Sequence, residues 1–509
     1  MSPTIRSQLA DRKRRIERRL DKRDLRGMER PMFTAANIHY ELADRSLGIC
    51  HGGIGAVHAL ARHLGLIDAI DRRVHLLKIH LPFHESDHVL NFAYNAFCEG
   101  TCLQDIELRR NDEAFLNALG ARRIPDPTTA GDFTRRFNEQ DIRNLQEAFH
   151  ETRLRVWAAQ PKSFLAQATI EMDGTLVGTT GSCKQGMDIA YEGTWGYHPL
   201  VLTLAETGEV LRVVNRSGNR PSHEGAAAEV DRCLKLCFRG GFLKVRLRGD
   251  GDFSQTQHLD RWNADPRVRF LFGYDSMPNL TALADDLPAG AWEKLERPPH
   301  YQVMTEPRER PDNVKDQIVR QRGFEVLRLK SEEVAEFPYR PTACDTTYRM
   351  IVVRKNISKE KGELRLLDEI RYFFHLSNDW MSAPAELVFS ANDRCNQENL
   401  LAQLKAGCRA LQAPVDSLLS NWAYMVMTAL AWDLKAWFAL KLPEPAGPGQ
   451  EKHRAEKNWV LRLEFKTFVQ AFIRIPCQIV RTGRRLVFRL LSWNPHQPIF
   501  FRLIDVLRL

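Results

Sequence analysis

The sequence predicts an α/β chain: a mixed sheet flanked by helices, entered through a helical N-terminal region, interrupted by a β-rich insertion and bounded by basic ends. Three observations carry this expectation. Between about Gly48 and Phe149, apolar residues recur every three to four positions, as in Leu60, Leu64, Ile67 and Ile70, the spacing of a buried helix face. From Phe164, short apolar runs separated by turn residues replace that pattern and then alternate with helical segments. After Pro384 the helical period returns.

The elements follow in order. The N-terminal region breaks at Ile124-Pro125-Asp126-Pro127-Thr128-Thr129, where Thr128 and Thr129 are expected to cap the next helix. Ala166 to Met172 reads as a strand ending at Asp173-Gly174-Thr175. Tyr197 to Leu204 and Val210 to Asn215 read as a hairpin with Gly208 in the turn. Ser222 is expected to cap a helix through Ala226, Val230, Cys233 and Cys237. A strand from Leu243 to Leu247 ends at Arg248-Gly249-Asp250, and a short helix near Thr256 to Trp262 and a strand from Val268 to Phe272 follow. From about Asp275 to Met381, prolines, mixed charge and β-rich runs at Gly323 to Leu329, Tyr348 to Arg354 and Glu369 to Phe374 mark the insertion. Pro443 to Gly449 reads as a linker.

At 509 residues, the chain exceeds one core, and about two to four domains are expected. Hydrophobic residues make up 43% and charged residues 27%, the balance of a soluble globular protein. The first thirty residues are basic and lack the apolar stretch of a secretory signal. Leu418 to Leu442 is the most apolar region, but Asn421, Asp433 and Lys435 within it favour a buried helix over a bilayer span. The ten cysteines include no CxxC pair, so no structural zinc site is expected, and free thiols suit the cytoplasm. The net charge is +9, and it is uneven. Residues 1–30 carry 11 Lys/Arg against 5 Asp/Glu, and residues 451–509 carry 12 against 4, around a mildly acidic middle. Basic ends suit a polyanion such as DNA.

Three acidic positions carry the chemistry. Asp173 and Asp250 each end a strand, where a rigid element holds a carboxylate at the rim of a sheet. Glu171 shares the face of Asp173 and Asp252 that of Asp250, so both are rival ligands. Arg394, Glu398 and Lys405 lie in a helical stretch from Asp393 to Ala410, at offsets that place them on one face. Three carboxylates can hold two hard divalent cations and leave coordination positions for phosphate and water, while a nearby arginine and lysine grip neighbouring phosphates.

These positions resemble the DDE transposases of bacterial insertion sequences, the RNase H-like cut-and-paste group with a β-rich insertion before the catalytic glutamate. Met172-Asp173-Gly174-Thr175 is similar to the family's first-strand aspartate. Arg248-Gly249-Asp250-Gly251-Asp252-Phe253 resembles its Arg-x-Asp-Ser-Gly-Phe, which favours Asp250 over Asp252. Arg394, Glu398 and Lys405 match the Arg, Glu and Lys of the Tyr-Arg-Glu-Lys helix, with Ala391 where the tyrosine would stand. Tyr197-His198-Pro199-Leu200, Asn215-Arg216-Ser217-Gly218-Asn219 and His84-Glu85-Ser86-Asp87-His88 are similar to further family segments.

The resemblance, which covers roughly residues 46–442, implies an RNase H-like core with Asp173, Asp250 and Glu398 as catalytic ligands of Mg2+, with Mn2+ as a substitute. It implies that Arg394 and Lys405 hold DNA phosphates. It implies a homodimer on double-stranded DNA, binding terminal inverted repeats and joining them to target DNA, with no membrane partner. A flipped base would be captured by an aromatic of the insertion, for which Trp292 is a candidate. The chain then divides into a basic arm (1–45), a helical DNA-binding region (46–160), a catalytic core in two parts (161–275 and 384–442), the insertion (276–383), and a linker with a basic C-terminal region (443–509). A bacterial cytoplasmic, nucleoid-associated location follows. Two alternatives remain: another RNase H-like nuclease such as a junction resolvase, and a domesticated DNA-binding protein without catalysis.

Overall fold

The computed structural model describes residues 3–19, 21, 48–78, 82–297, 313–361, 364–482 and 485–507. Most of the expected basic arm, including 22–47, lies outside the described residues. What is described of it forms helix α1 (Pro3–Arg19). The main helices of the N-terminal region follow: α2 (Ile54–His63), α3 (Leu66–Arg73), α4 (Glu85–Phe97) and α5 (Glu139–Ala158), with further short ones between α4 and α5. The helix after Ile124 starts at Pro127, and its cap is Asp126, whose carboxylate accepts from Thr129 N at 2.8 Å. The threonines sit inside the first turn, because proline at the first helical position moves the cap one residue earlier.

The centre of the molecule is a mixed sheet with nine strands among the described residues. Its first part comprises β1 (Gln167–Gly174), β2 (Leu200–Leu204), β3 (Glu209–Val214), β4 (Lys244–Gly249) and β5 (Val268–Tyr274). Helix α6 (Ala226–Arg239) connects β3 to β4. Gly225 at φ +73° precedes α6 as its cap, so Ser222 lies outside the helix. Across the sheet the order is β3-β2-β1-β4-β5. Strands β1 and β2 pair antiparallel, as do β2 and β3, whereas β1, β4 and β5 run parallel. This is the order and sense of an RNase H-like sheet.

The insertion lengthens the same sheet. A two-residue strand, β6 (Glu293–Lys294), pairs with β7 (Glu325–Tyr339). Strands β7, β8 (Tyr348–Lys361) and β9 (Leu364–Ser377) form an antiparallel meander. Strand β9 then pairs antiparallel with β5 through Phe374 and Tyr274. After it come α7 (Pro384–Asn392), α8 (Cys395–Ala402) and α9 (Leu418–Leu440).

Helix α9 is buried along almost its whole length. The three polar residues that argued against a bilayer span are engaged: Asn421 bonds the backbone of Val415 and Ser417, Asp433 accepts from Val210 N at 2.8 Å, and Lys435 donates to Leu461 O at 2.8 Å. Among the described residues no helix is long and apolar enough to cross a membrane. One hydrophobic core runs from Ile49 through the N-terminal helices and α9 to Leu507. Near the chain's two ends, Gly48–Ile49 pairs with the strand Cys477–Thr482, and Arg12 Nη1 donates to Leu490 O at 2.8 Å.

Candidate active site

The sheet brings the two strand-end aspartates together. Strands β1 and β4 are parallel neighbours in the register Glu171↔Arg248. Asp173 and Asp250, each two residues further on, therefore emerge side by side at the C-terminal edge. Asp250 turns the chain into a short 3-10 segment, and its Oδ1 accepts from Asp252 N at 3.1 Å. Its Oδ2 faces Arg394 Nη1 at 3.4 Å. Asp173 Oδ2 stands 3.5 Å from the same nitrogen, and Glu398 Oε1 stands 3.4 Å from Arg394 Nη2. All three carboxylates thus converge on one guanidinium.

The two rivals take other roles. Glu171 is buried and ion-paired to Arg248, whose Nε lies 2.9 Å and Nη2 2.5 Å from Glu171 Oε1. Arg248 also donates through Nη1 to Ser390 O at 2.5 Å, which ties α7 to the sheet. Asp252 is exposed and contributes its backbone N–H to Asp250. A second anchor fixes α8. Gln397 is buried against β2, where it meets Thr203 Oγ1 and donates to Val201 O at 3.5 Å. Its neighbour Glu398 then projects toward the aspartates.

The helix differs from the continuous one expected over Asp393 to Ala410. Arg394 is the cap residue before α8, and a π-turn over Gln403–Gly407 follows it. Lys405 sits in that turn, so the 3.6-residue period does not carry through to it. Lys405 is nevertheless half-buried within electrostatic reach of Asp173 and Glu192. Burial pulls its ammonium below the usual lysine range, and Asp173 acts against that shift.

Burial pushes the Asp173 carboxyl up to about 7; Arg394 opposes this, and the negative charge of Asp250 adds to it. Asp250 is raised for the same first reason, again opposed by Arg394 and reinforced by Asp252. Such crowding of negative charge is relieved by a neighbouring cation or by a proton on one of the carboxyls. The donor set is all carboxylate oxygen, which suits a hard divalent ion. Among the described residues, however, no three His, Cys, Asp or Glu side chains are arranged so as to hold a metal ion as they stand. Arg394 stands where their oxygens meet.

Two nearby residues had no role assigned from sequence. Asp275 follows the end of β5, and a Cβ added at Gly251 would lie 2.7 Å from its Oδ1. It is a third strand-end aspartate at the same edge, marked by the same pattern that singled out the other two. His198 pairs through Nδ1 with Arg220 O at 2.7 Å, and its Nε2 lies 2.7 Å from where a Cβ on Gly174 would be. The ring therefore packs against the backbone of Gly174 at the end of β1, and glycine at 174 is what makes room for it. Burial lowers its pKa.

The remaining motif segments shape the surroundings. Arg216 donates through Nη1 to the carbonyls of Pro221, Ser222 and Glu224, and so fixes the loop before α6. In the segment from His84 to His88, Glu85 accepts from Leu76 N and Leu77 N, Ser86 bonds Asp71, and the His88 ring stacks on Phe133 at 4.2 Å. These contacts organise the helical region. Trp292 is half-buried, with the Arg354 guanidinium 4.0 Å from its ring centroid and Tyr372 at 6.2 Å.

The chain matches the sequence model of the family described as Transposase DDE domain group 1 over residues 49–509. A search of curated proteins found no match. Among solved structures, the chain is similar to one described as the cryo-EM structure of a piggyBac transposase synaptic complex with hairpin DNA. The identity is 10% and the TM-score 0.38, with 84% of each chain covered.

Proposed function

Because the chain belongs to the DDE transposase family, in its domain group 1, we propose that it binds the terminal inverted repeats of a bacterial insertion sequence, cleaves the ends and joins their 3′-hydroxyls to target DNA. The observation that carries this reading is the convergence of Asp173, Asp250 and Glu398 on Arg394, with every contact between 3.4 and 3.5 Å. Asp173 and Asp250 are the fixed members, since each is set by a strand end. Glu398 approaches on a helix from the open side.

Divalent ions, Mg2+ or Mn2+, would be held by these three carboxylates and would supply Lewis-acid stabilisation of the attacking and leaving oxygens. The protein's own groups do the positioning. The sheet edge keeps Asp173 and Asp250 side by side. Arg394 and Lys405 offer positive charge to the phosphates that flank the scissile bond. Water attacks first to nick the end, and the freed 3′-hydroxyl then attacks DNA in line. The meeting of the two basic ends, through Arg12 and the carbonyl of Leu490, supports DNA as the partner, because phosphate binding scales with clustered Lys and Arg. A homodimer in the synaptic complex is part of the same proposal.

The test is cleavage of a duplex carrying the inverted repeats that flank the coding region. Mg2+-dependent nicking at the repeat boundary is expected. Preference for four-way junctions would replace this reading with a resolvase. Binding of the ends without nicking in Mg2+ or Mn2+ would leave a DNA-binding protein.

A further inference from the structure

Three carboxylates and one arginine share the space that a cation would fill. Arg394 Nη1 lies almost equally far from Asp173 Oδ2 and Asp250 Oδ2, at 3.5 and 3.4 Å, while Nη2 faces Glu398 Oε1 at 3.4 Å. Charge-assisted N–H···O bonds close to about 2.7–2.9 Å when geometry allows. None of these three does. The guanidinium is stretched between three partners and sits at full strength with none, so exchanging them for one phosphate that accepts two N–H bonds costs little. The guanidinium's charge leaves the cluster only if the side chain moves. The backbone makes this possible: Arg394 precedes α8 at its cap, while α7 and α8 are themselves pinned by Arg248 on Ser390 and by Gln397 on β2.

We propose that Arg394 is a substrate-released stopper: in the DNA-free chain its guanidinium keeps Asp173, Asp250 and Glu398 gathered and blocks divalent ions, and a DNA phosphate draws it out so that ions enter when substrate is in place. The inference rests on the three-carboxylate reading above. Arg394 is here a positioning residue that acts on its neighbours before it acts on DNA. Coupling of this kind is reciprocal, so DNA tightens ion binding and ions tighten DNA binding by the same factor.

The experiment measures Mn2+ uptake by the full-length chain from the magnetic-resonance signal of the unbound ion, which requires no turnover. Without DNA, Arg394→Gln is expected to bind Mn2+ at least about five-fold more tightly than the unaltered chain, within the usual range for coupled sites. Adding Asp173→Asn should abolish that gain. With duplex DNA present, and the duplex's own uptake subtracted, the unaltered chain should gain affinity and Arg394→Gln should gain far less. Arg394→Lys retains charge and bulk with a single nitrogen, so it should fall between the two, and it guards against misfolding of the glutamine variant. Equal Asp173-dependent uptake by the unaltered chain and both variants overturns the stopper while leaving the metal site standing. Absence of any Asp173-dependent uptake in all three, with or without DNA, overturns both.

Discussion

Two arginines in this chain each gather carboxylates, and they do so in opposite ways. Arg153, on α5, meets Glu209 at 3.0 Å and Asp433 at 2.6 Å, and none of the three side chains is more than 3% exposed. Every oxygen of those two carboxylates has a donor: Trp157, Trp437 and Thr207 serve Glu209 beside Arg153, and Val210 N serves Asp433. Arg394 meets its three carboxylates only at 3.4–3.5 Å, and exposure rises from 14% at Asp173 to 36% at Asp250 and 59% at Glu398. The first cluster is saturated and closed, and it ties helices α5 and α9 to β3. The second is under-satisfied and open on one side. A saturated polar network holds a fold together, while an unsaturated one at a sheet edge is poised to exchange partners.

The contrast breaks most sharply at Arg153. Arg153→Met leaves Glu209 and Asp433 as buried charges without their counter-ion, and a loss of about 3–5 kcal/mol in unfolding free energy is expected. A urea denaturation series reads this directly, and a loss below about 1 kcal/mol would show that the cluster is no keystone. Asn421→Ala, also on α9, strands the buried Val415 N–H, which donates to the Asn421 side-chain oxygen. It should cost about 1–3 kcal/mol in the same assay.

The open cluster should instead reveal itself through pH. Asp173 holds its proton more tightly folded, at about 7, than in an unfolded chain, near about 3.9. Its contribution is therefore full below about 4 and falls as pH rises toward about 7. Denaturation midpoints at pH 5 and pH 8 should differ less in Asp173→Asn than in the unaltered chain. An unchanged difference would remove Asp173 from the account of that slope. The smallest effect is expected at Arg394, where Arg394→Gln should change stability by less than about 1 kcal/mol, since its ion pairs are long and partly solvated.

The same contrast explains what could be read from the sequence. The strand-end aspartates were legible because each closes an apolar run, and parallel pairing of β1 and β4 then made neighbours of them. Arg394 and Glu398 were legible as an i,i+4 pair. The π-turn that carries Lys405 was not, because nothing in Gln403-Leu404-Lys405-Ala406-Gly407 marks a five-residue hydrogen-bond step. Nor were the full lengths of β7, β8 and β9. Of strand β7 the run up to Leu329 was legible, but over 330–339 Lys330, Glu332, Glu333, Glu336 and Pro338 interrupt the apolar residues and hide the strand from a search for apolar runs. The role of Glu171 stayed ambiguous until its pairing with Arg248 was visible. Asp275 shows the converse case: the same strand-end signal was present, but only the parallel neighbour β4 reveals that it reaches the same edge. The closed cluster was the least legible of all, since Arg153, Glu209 and Asp433 lie on three elements distant in sequence.

The most direct test of the central claim compares Asp173→Asn, Asp250→Asn and Glu398→Gln for cleavage of a repeat-bearing duplex in Mg2+, with end binding measured in parallel. Each variant should lose at least about a thousand-fold in cleavage rate while still binding the ends, because residues that act as one unit fail together. Cleavage within about ten-fold of the unaltered chain by any one of them would contradict the assignment.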